Sequence, residues 1–331
     1  MLDLAPVSSG RTTREALQES IALARHVEAL GYGRVWVAEH HGMPGIASSA
    51  PAVLIAALAA ATSRIRVGSG GVMLPNHAPL VVAEQFGTLE ALHPGRIDLG
   101  LGRAPGTDQR TASLLRRGDA DDFPGELALL RAFFDGPVEG ITAVPAQGNG
   151  PDIWLLGSSG FSAQLAGLLG LPFAFAHHFS GHNTLPALEL YRSSFRPGVL
   201  AAPYAMICAS VLVADSYEQA RRLALPGALS FVRLRQGAPG PLPTVEEAEA
   251  HPWTAQERAF AEQRLNSQVL GTPAQARQQL DLLLTDTGAD ELMVATAAHA
   301  TSDRLRSYDL LAGLGIDTGD GLCLERTGRT G

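Results

Sequence analysis

The sequence predicts an α/β protein built as a closed (β/α)8, or TIM, barrel with loop and helical insertions. Three observations carry that expectation. Short apolar runs alternate with segments of helical periodicity, the pattern of parallel strands joined by crossover helices. Eight such pairs follow one another, and eight favour a closed barrel over an open doubly wound sheet. No internal repeat, low-complexity tract or linker divides the 331 residues, so a single domain spanning 1–331 is expected.

The first unit pairs "LDLAPV" (2–7) with a helix over 13–30, where Leu17, Ile21, Ala24 and Val27 recur at helical spacing and Gly31 stops it. The second sets "RVWVAE" (34–39) before "SAPAVLIAALAAAT" (49–62), a helix with a serine cap and Pro51 near its start. That helix is apolar all round and is expected to be covered on more than one side, as packing against a second copy in a homodimer would do. The third unit is 65–74 with a helix at 79–92, its Val82, Phe86 and Leu89 on one stripe. The fourth is 96–102 with 123–134, the fifth 153–157 with 159–169, and the sixth 172–176 with 184–195. The seventh strand, 204–214, precedes a helix from Ser216 to about Arg235. A helix from Thr272, a strand at 291–296 and a helix at 301–313 complete the set. Stretches at about 103–122, 135–151 and 236–266 read as insertions, the last helical over 244–265 and the middle one a surface excursion.

With 46% hydrophobic and 18% charged residues the chain can bury a full core. Its net charge of −8 argues against nucleic-acid or anionic-membrane partners. All 25 basic residues are arginine. Without lysine there is no Schiff-base chemistry and no Walker P-loop, and any anion must be held by arginine, backbone amides or a helix N-terminus. Cys208 and Cys323 make neither a disulfide framework nor a zinc knuckle. "MLDLAPVSSG" has no basic n-region and the apolar stretch Ala50–Ala61 is too short to span a bilayer, so a cytoplasmic location is expected.

In such a barrel the site lies at the C-terminal ends of the strands. The residues there are Ser8 and Ser9; Glu39, His40 and His41; Gly70 to Asn76 with His77; Gly102 and Arg103; Gly157, Ser158 and Ser159; His177 and His178; Ala214 and Asp215; and Thr296 with His299. Adjacent side chains on a strand point to opposite faces, so neither histidine doublet readily chelates one ion, and no metal is expected. A hydrogen-bonded pocket residue is the plainer reading of any one histidine. Gly68, Gly70 and Gly71 weaken a strand unless something flat, such as a cofactor ring, approaches the backbone. "GLGRAPG" is a weak dinucleotide motif, since Pro105 intrudes and no helix opens, but it delivers Arg103 to a phosphate. "GSSGFSAQLAG" places Ser158, Ser159 and free amides at a helix N-terminus, an anion site compatible with simple N-capping.

Four stretches, "GYGRVWVAEHH", "RVGSGGVMLPNHAPLVVAEQFGTLEALHPGRIDLGLGRAPG", "IWLLGSSGFSAQLAGLLGLP" and "LGTPAQARQQLDLLLTDTGADELMV", resemble the bacterial luciferase-like family of flavin-dependent monooxygenases. The resemblance covers nearly the whole chain. It implies a barrel that commonly dimerises and binds reduced FMN supplied by a separate NAD(P)H:flavin reductase. With O2, a small organic substrate would be oxidised through a flavin C4a-hydroperoxide. It implies further that His40 is the histidine that uses that species. Gly70 and Gly71 fall on a pair joined by a non-proline cis peptide against the isoalloxazine, and Arg103 and Ser158 fall on phosphate-binding positions, with Gly157 and Ser159 beside them. Glu39, His41, His77, His177 and His178 are expected around the substrate pocket, His41 shaping its rim and Glu39 making a structural hydrogen bond.

The chain also departs from the family. Gly157 replaces a glutamate, Phe161 a threonine, His177 a tryptophan and Gly102 a reactive cysteine, so a long-chain aldehyde substrate and light emission do not follow. Three alternatives stay open: an F420-dependent hydride-transfer oxidoreductase of the same fold, a flavin-binding protein without turnover, and an unrelated barrel hydrolase using Glu39 and the histidines.

Overall fold

The computed structural model describes residues 1–115 and 122–316. Part of the insertion expected at 103–122, the C-terminal end of the 1–331 domain and Cys323 therefore lie outside the described residues. The strands are β1 (Leu2–Asp3), β2 (Arg34–Val37), β3 (Arg66–Met73), β4 (Ile97–Gly102), β5 (Asp152–Gly157), β6 (Phe173–Phe175), β7 (Ala205–Val213), β8 (Val269–Gly271) and β9 (Glu291–Ala295). The helices are α1 (Thr13–Ala29), α2 (Pro51–Ala61), α3 (Pro79–Leu92), α4 (Gln109–Leu114), α5 (Phe123–Asp135), α6 (Gly160–Leu169), α7 (His177–Ser180), α8 (Thr184–Ser194), α9 (Tyr217–Arg235), α10 (Val245–Glu249), α11 (Ala255–Asn266), α12 (Pro273–Thr287) and α13 (Thr301–Ala312).

Strands β1 to β7 pair in parallel in chain order, and β9 pairs β7. Since β9 also lies beside β1, the eight strands β1–β7 and β9 form the expected α/β barrel with helices outside. The described residues hold one strand more than the sequence suggests. The nine-residue β7 serves two partners, Met206–Ser210 pairing β9 and Val211–Val213 pairing β8. Three residues, Val269–Gly271, are too few to show a period.

Inward-facing residues explain the interior. Arg34, Arg66, Asp98, Asp152 and Glu291 sit at or near the starts of their strands and join in one buried network. Arg34 donates to Asp98 at 2.7 Å and to Glu291 at 2.6 and 3.0 Å, while Arg66 donates to Asp98 and Asp152. Above that plug pack Leu2, Trp36, Trp154, Met206 and Met293, the two indoles edge to face at 5.3 Å. Trp36 Nε1 donates to Asp98 at 2.8 Å. Toward the C-terminal ends the same cluster uses small residues, Ala38, Ala174, Cys208 and Ala295.

The glycines of β3 answer to this interior. A Cβ on Gly68 would lie 2.5 Å from the Asp98 Cβ, one on Gly70 2.8 Å from Leu2 Cδ1, and one on Gly71 2.7 Å from the Gly100 carbonyl. The close approach anticipated from a cofactor ring is therefore already made by the barrel's own residues, with a register shift between Gly70 and Val72.

Outside the barrel, α2 buries Leu54, Ile55, Leu58 and Ala59 but leaves Val53 72% exposed, so within one chain it is not covered all round. Its N-cap is Ala50, with no side-chain cap bond, rather than a serine. The 135–151 excursion is docked, with Ala143 and Ala146 buried and the Ala146 backbone 2.4 Å from where a Gly87 Cβ would stand. The last insertion is two helices, α10 and α11, each opened by a capping box, Thr244 with Glu247 and Thr254 with Glu257. Its lead-in ties to the loop after β1, Leu242 donating to Val7 at 2.9 Å and accepting from Ser9 at 2.8 Å. Among the described residues no helix is long and apolar enough to cross a membrane.

Asp98→Ala would leave two arginines buried beside a missing charge and is expected to cost about 3–5 kcal/mol in urea unfolding. Burial alone would raise the Asp98 carboxyl, but Arg34 and Arg66 outweigh it and hold it below its ordinary 3.8. Its contribution is thus full above that value and is lost as pH falls through the lower folded value. Asp98→Asn should flatten the acid limb of a plot of Tm against pH.

Candidate active site

Strand β2 ends at Val37, so Glu39, His40 and His41 leave the sheet in a loop rather than finishing the strand. Glu39 is fully buried and accepts four sets of donors: His77 Nε2 at 2.9 and 3.0 Å, His41 Nε2 at 2.9 Å, the Met73 amide at 3.0 Å and Asn76 Nδ2 at 3.2 Å. Burial pushes its carboxyl up, but the histidine and amide donors outweigh that and hold it below its ordinary 4.5. Glu39 thus clamps the loop after β2 to the end of β3. His41 and His77 brace it, and none of the three lines the cavity described below.

His40 is turned elsewhere. Its Nδ1 donates to the Gly106 carbonyl at 3.0 Å, and its backbone amide donates to Ser48 at 2.9 Å. Burial pulls its pKa below 6.5, against the opposing pull of Gly106 and Glu39. The ring is therefore neutral at pH 7, with Nε2 as an acceptor that has no protein partner among the described residues. Gly106 has φ 67° and an added Cβ there would lie 2.6 Å from the Glu39 carbonyl, so only glycine fits this contact.

His177 and His178 do not end a strand. They open the short helix α7, and it is this turn, not strand alternation, that parts them. His177 Nδ1 bonds Thr184 Oγ1 at 2.8 Å, and burial lowers its pKa. His178 Nδ1 donates to the Cys208 carbonyl at 3.1 Å, and its pKa falls to about 4, through burial first and the nearby positive groups second. The described residues contain no group of three or more His, Cys, Asp or Glu arranged to hold a metal.

The anion-binding candidates converge at one corner. Arg103 leaves β4 and its guanidinium stands 4.2 Å from the Phe161 ring centre, in the first turn of α6. Gly157 ends β5, and Ser159 is the N-cap of α6 in extended backbone, its side chain making no cap bond. Ser158 lies between them, so the α6 N-terminus and Arg103 share a face. The Gly70–Gly71 peptide is cis, as the resemblance implies. Ser8, Ser9 and His299 instead latch two loops together, with Ser8 Oγ donating to His299 O at 3.0 Å. Asp215 pairs Arg306 at the surface.

Beside this mouth, on the side of β1, β7 and β9, lies a cavity of about 260 Å³. Of the residues expected at the strand ends, His178 and Thr296 line it. Thr184, Phe231 and Arg264 were not identified from sequence, and neither were the parts that Gly106 and Asn76 play. Those roles depend on tertiary contacts.

Residues 1–291 match the family model described as luciferase-like monooxygenase. The chain belongs to that family. It is 49% identical over 316 residues to the luciferase-like monooxygenase of Escherichia coli (strain K12), covering 94% of each chain. It is 51% identical over 319 residues to the uncharacterized protein YvbT of Bacillus subtilis (strain 168), covering 94% of this chain and 95% of that one. The crystal structure of apo-MsnO8 superposes with a TM-score of 0.87 at 41% identity, covering 95% of this chain and 97% of the other. The same fold, at 17% identity and TM-score 0.70, occurs in the oxygenating constituent of 3,6-diketocamphane monooxygenase from Pseudomonas putida in complex with FMN, covering 94% and 96%. At 15% identity and TM-score 0.66 it occurs in an F420-dependent secondary alcohol dehydrogenase with an F420–acetone adduct, covering 91% and 94%. A luciferase-like monooxygenase is an oxidoreductase, and structures of this fold hold either FMN or F420.

In this luciferase-like monooxygenase, Glu39→Ala would strand His41, His77, Asn76 and the Met73 amide. The expected cost is about 1–3 kcal/mol in urea unfolding. It should be accompanied by a shift of the His77 imidazole resonances, whereas the exposed Glu189→Ala should leave both unchanged.

Proposed function

We propose that the protein is a two-component flavin-dependent monooxygenase that uses reduced FMN and O2 to oxidise a small organic substrate. The observation that carries this reading is the convergence of Arg103 and the α6 N-terminus at the rim of a barrel mouth that also holds the neutral His40. The residues present fit the cofactor. Arg103 and the amides following Ser158 and Ser159 would hold the phosphate, beside Gly157, and Gly70–Gly71 would lie along the ring. The small residues Ala38, Ala174 and Ala295 leave room above Trp36 and Trp154. When bound, reduced FMN supplies the electrons that activate O2.

The chain's own part is to orient, exclude water and move protons. Apolar walls keep water from the reacting atoms. His40 holds a lone pair at Nε2, fixed there because Nδ1–H is committed to Gly106. That nitrogen accepts a proton during turnover and returns it. Glu39 acts through position, holding the loop that carries His40. A separate NAD(P)H:flavin reductase supplies the reduced flavin, and the 1–331 chain works as one domain in the cytoplasm. A homodimer is supported by the exposed apolar face of α2 around Val53.

Anaerobic titration with reduced FMN, read by flavin fluorescence, tests the cofactor site. Arg103→Ala is expected to weaken binding by about ten- to hundredfold, the span for losing a charge-assisted hydrogen bond. On admission of O2, His40→Ala should release hydrogen peroxide faster than the wild type and lose about 10²-fold in substrate oxidation. Neutral His40 is the working form and its pKa lies below 6.5, so activity should hold above that pH and fall as pH drops through the lowered value. Tight F420 binding without binding of reduced FMN would replace this reading with hydride transfer.

A further inference from the structure

The 260 Å³ cavity beside the mouth has walls of Leu4, Pro6, Met43, Ile46 and Phe231, yet two arginines border it, Arg304 paired with Asp3 and Arg264. Arg264 projects from α11 and is half-buried. Its Nη1 donates to the His178 carbonyl and its Nη2 to Ser210 Oγ at 3.4 Å, while its guanidinium carbon stands 5.0 Å from the centre of the Phe231 ring. These partners are all neutral. The other deeply placed arginines, Arg34, Arg66 and Arg304, each pair a carboxylate. Among the described residues Arg264 has none, and burial alone pulls its pKa down. A partly buried cation without a counter-ion is costly.

A second group points the same way. Ser230, on α9, lines the same cavity, and its hydroxyl is buried with no hydrogen-bond partner among the described residues. Such groups are rare unless a ligand or water completes them. Arg264 and Ser230 thus offer a forked cation and a hydroxyl donor in a cavity whose other polar lining is His178, Ser210, Gln268, Thr296 and the Asp3-paired Arg304. That set matches a carboxylate, whose two oxygens accept from a guanidinium.

We propose that this cavity is the substrate pocket and that its occupant is a carboxylate carried on a small apolar body, with Arg264 pairing the anion and Ser230 donating to it. The volume, below the roughly 300–1,000 Å³ common for ligand pockets, limits the body to a small one. His178 ties the pocket to the mouth, since it borders the cavity and opens the turn that follows β6. The assignment rests on the flavin reading only in calling the occupant a substrate.

Calorimetry on the flavin-free protein tests it, with butyrate, hexanoate and octanoate against their primary amides. At least one acid is expected to bind about ten- to hundredfold tighter than its amide, the worth of a charge-assisted hydrogen bond. Arg264→Met, checked for native circular dichroism, should bring acid and amide to equal affinity. Ser230→Ala, which removes one oxygen and leaves the Arg264 contacts alone, should weaken the acid several-fold and leave the amide unchanged. Equal affinity of acid and amide in the wild type, no saturable binding of any acid, or an acid preference that survives both substitutions would overturn the assignment. Reduced FMN is titrated separately into the wild type. If it fails to bind while the acid preference stands, the flavin reading falls and the anion pocket remains.

Discussion

The carboxylate of Asp98, shared between Arg34 and Arg66 at the closed end of the barrel, sets the terms for everything above it. Charges this deep persist only when paired and hydrogen-bonded, and the network supplies both, through Glu291, Asp152 and the Trp36 indole. Trp36 is thereby held inside the barrel against Trp154. Trp36, with Asp98 and Leu2, leaves no room for side chains on β3, which is why Gly68 and Gly70 stand there. The layer above is built from alanine and Cys208, and so the barrel opens where chemistry is wanted. Its sulfur is deeply buried and its thiol pKa is pushed up to about 12, so it acts as packing rather than as a nucleophile.

At the open end a second buried carboxylate, Glu39, has the complementary task. Loops at a barrel mouth lack the ladder that holds strands in place, and four donors on one carboxylate replace it. With Glu39 clamped to β3, the next residue, His40, has its tautomer chosen by a backbone carbonyl. The histidines around it divide the work. Two brace Glu39, one bonds Thr184, and His178 borders the cavity. The histidines therefore differ in role: His41 and His77 brace a carboxylate, while His40 and His178 bond backbone carbonyls.

Legibility followed the range of the interaction. Helices α1 and α3 lie within a residue or two of their expected bounds, because their periodicity is local. The placement of Arg103 at a strand end beside the start of α6 was readable too, since an arginine at a strand end and serines at a helix start are short-range patterns. The reason offered for the β3 glycines was different: sequence shows that something comes close, not that it is Asp98, Leu2 and Trp36. Strand β8 and the one-turn helix α7 are too short to carry a period at all.

By itself the sequence determined the α/β barrel, the family, the absence of lysine chemistry and the positions that ring the mouth. The family follows from the resemblance of four stretches, and the rest from local periodicity, composition and residue order, which no folding partner alters. Only the tertiary structure decided what each of those residues does. Whether a histidine braces a carboxylate or faces a cavity depends on contacts spanning from His40 to Gly106, from His178 to Cys208 and from Arg264 to Phe231. Such pairings are set by how distant strands close into a ring, and an imidazole's charge and tautomer are set by burial and by the one acceptor it reaches.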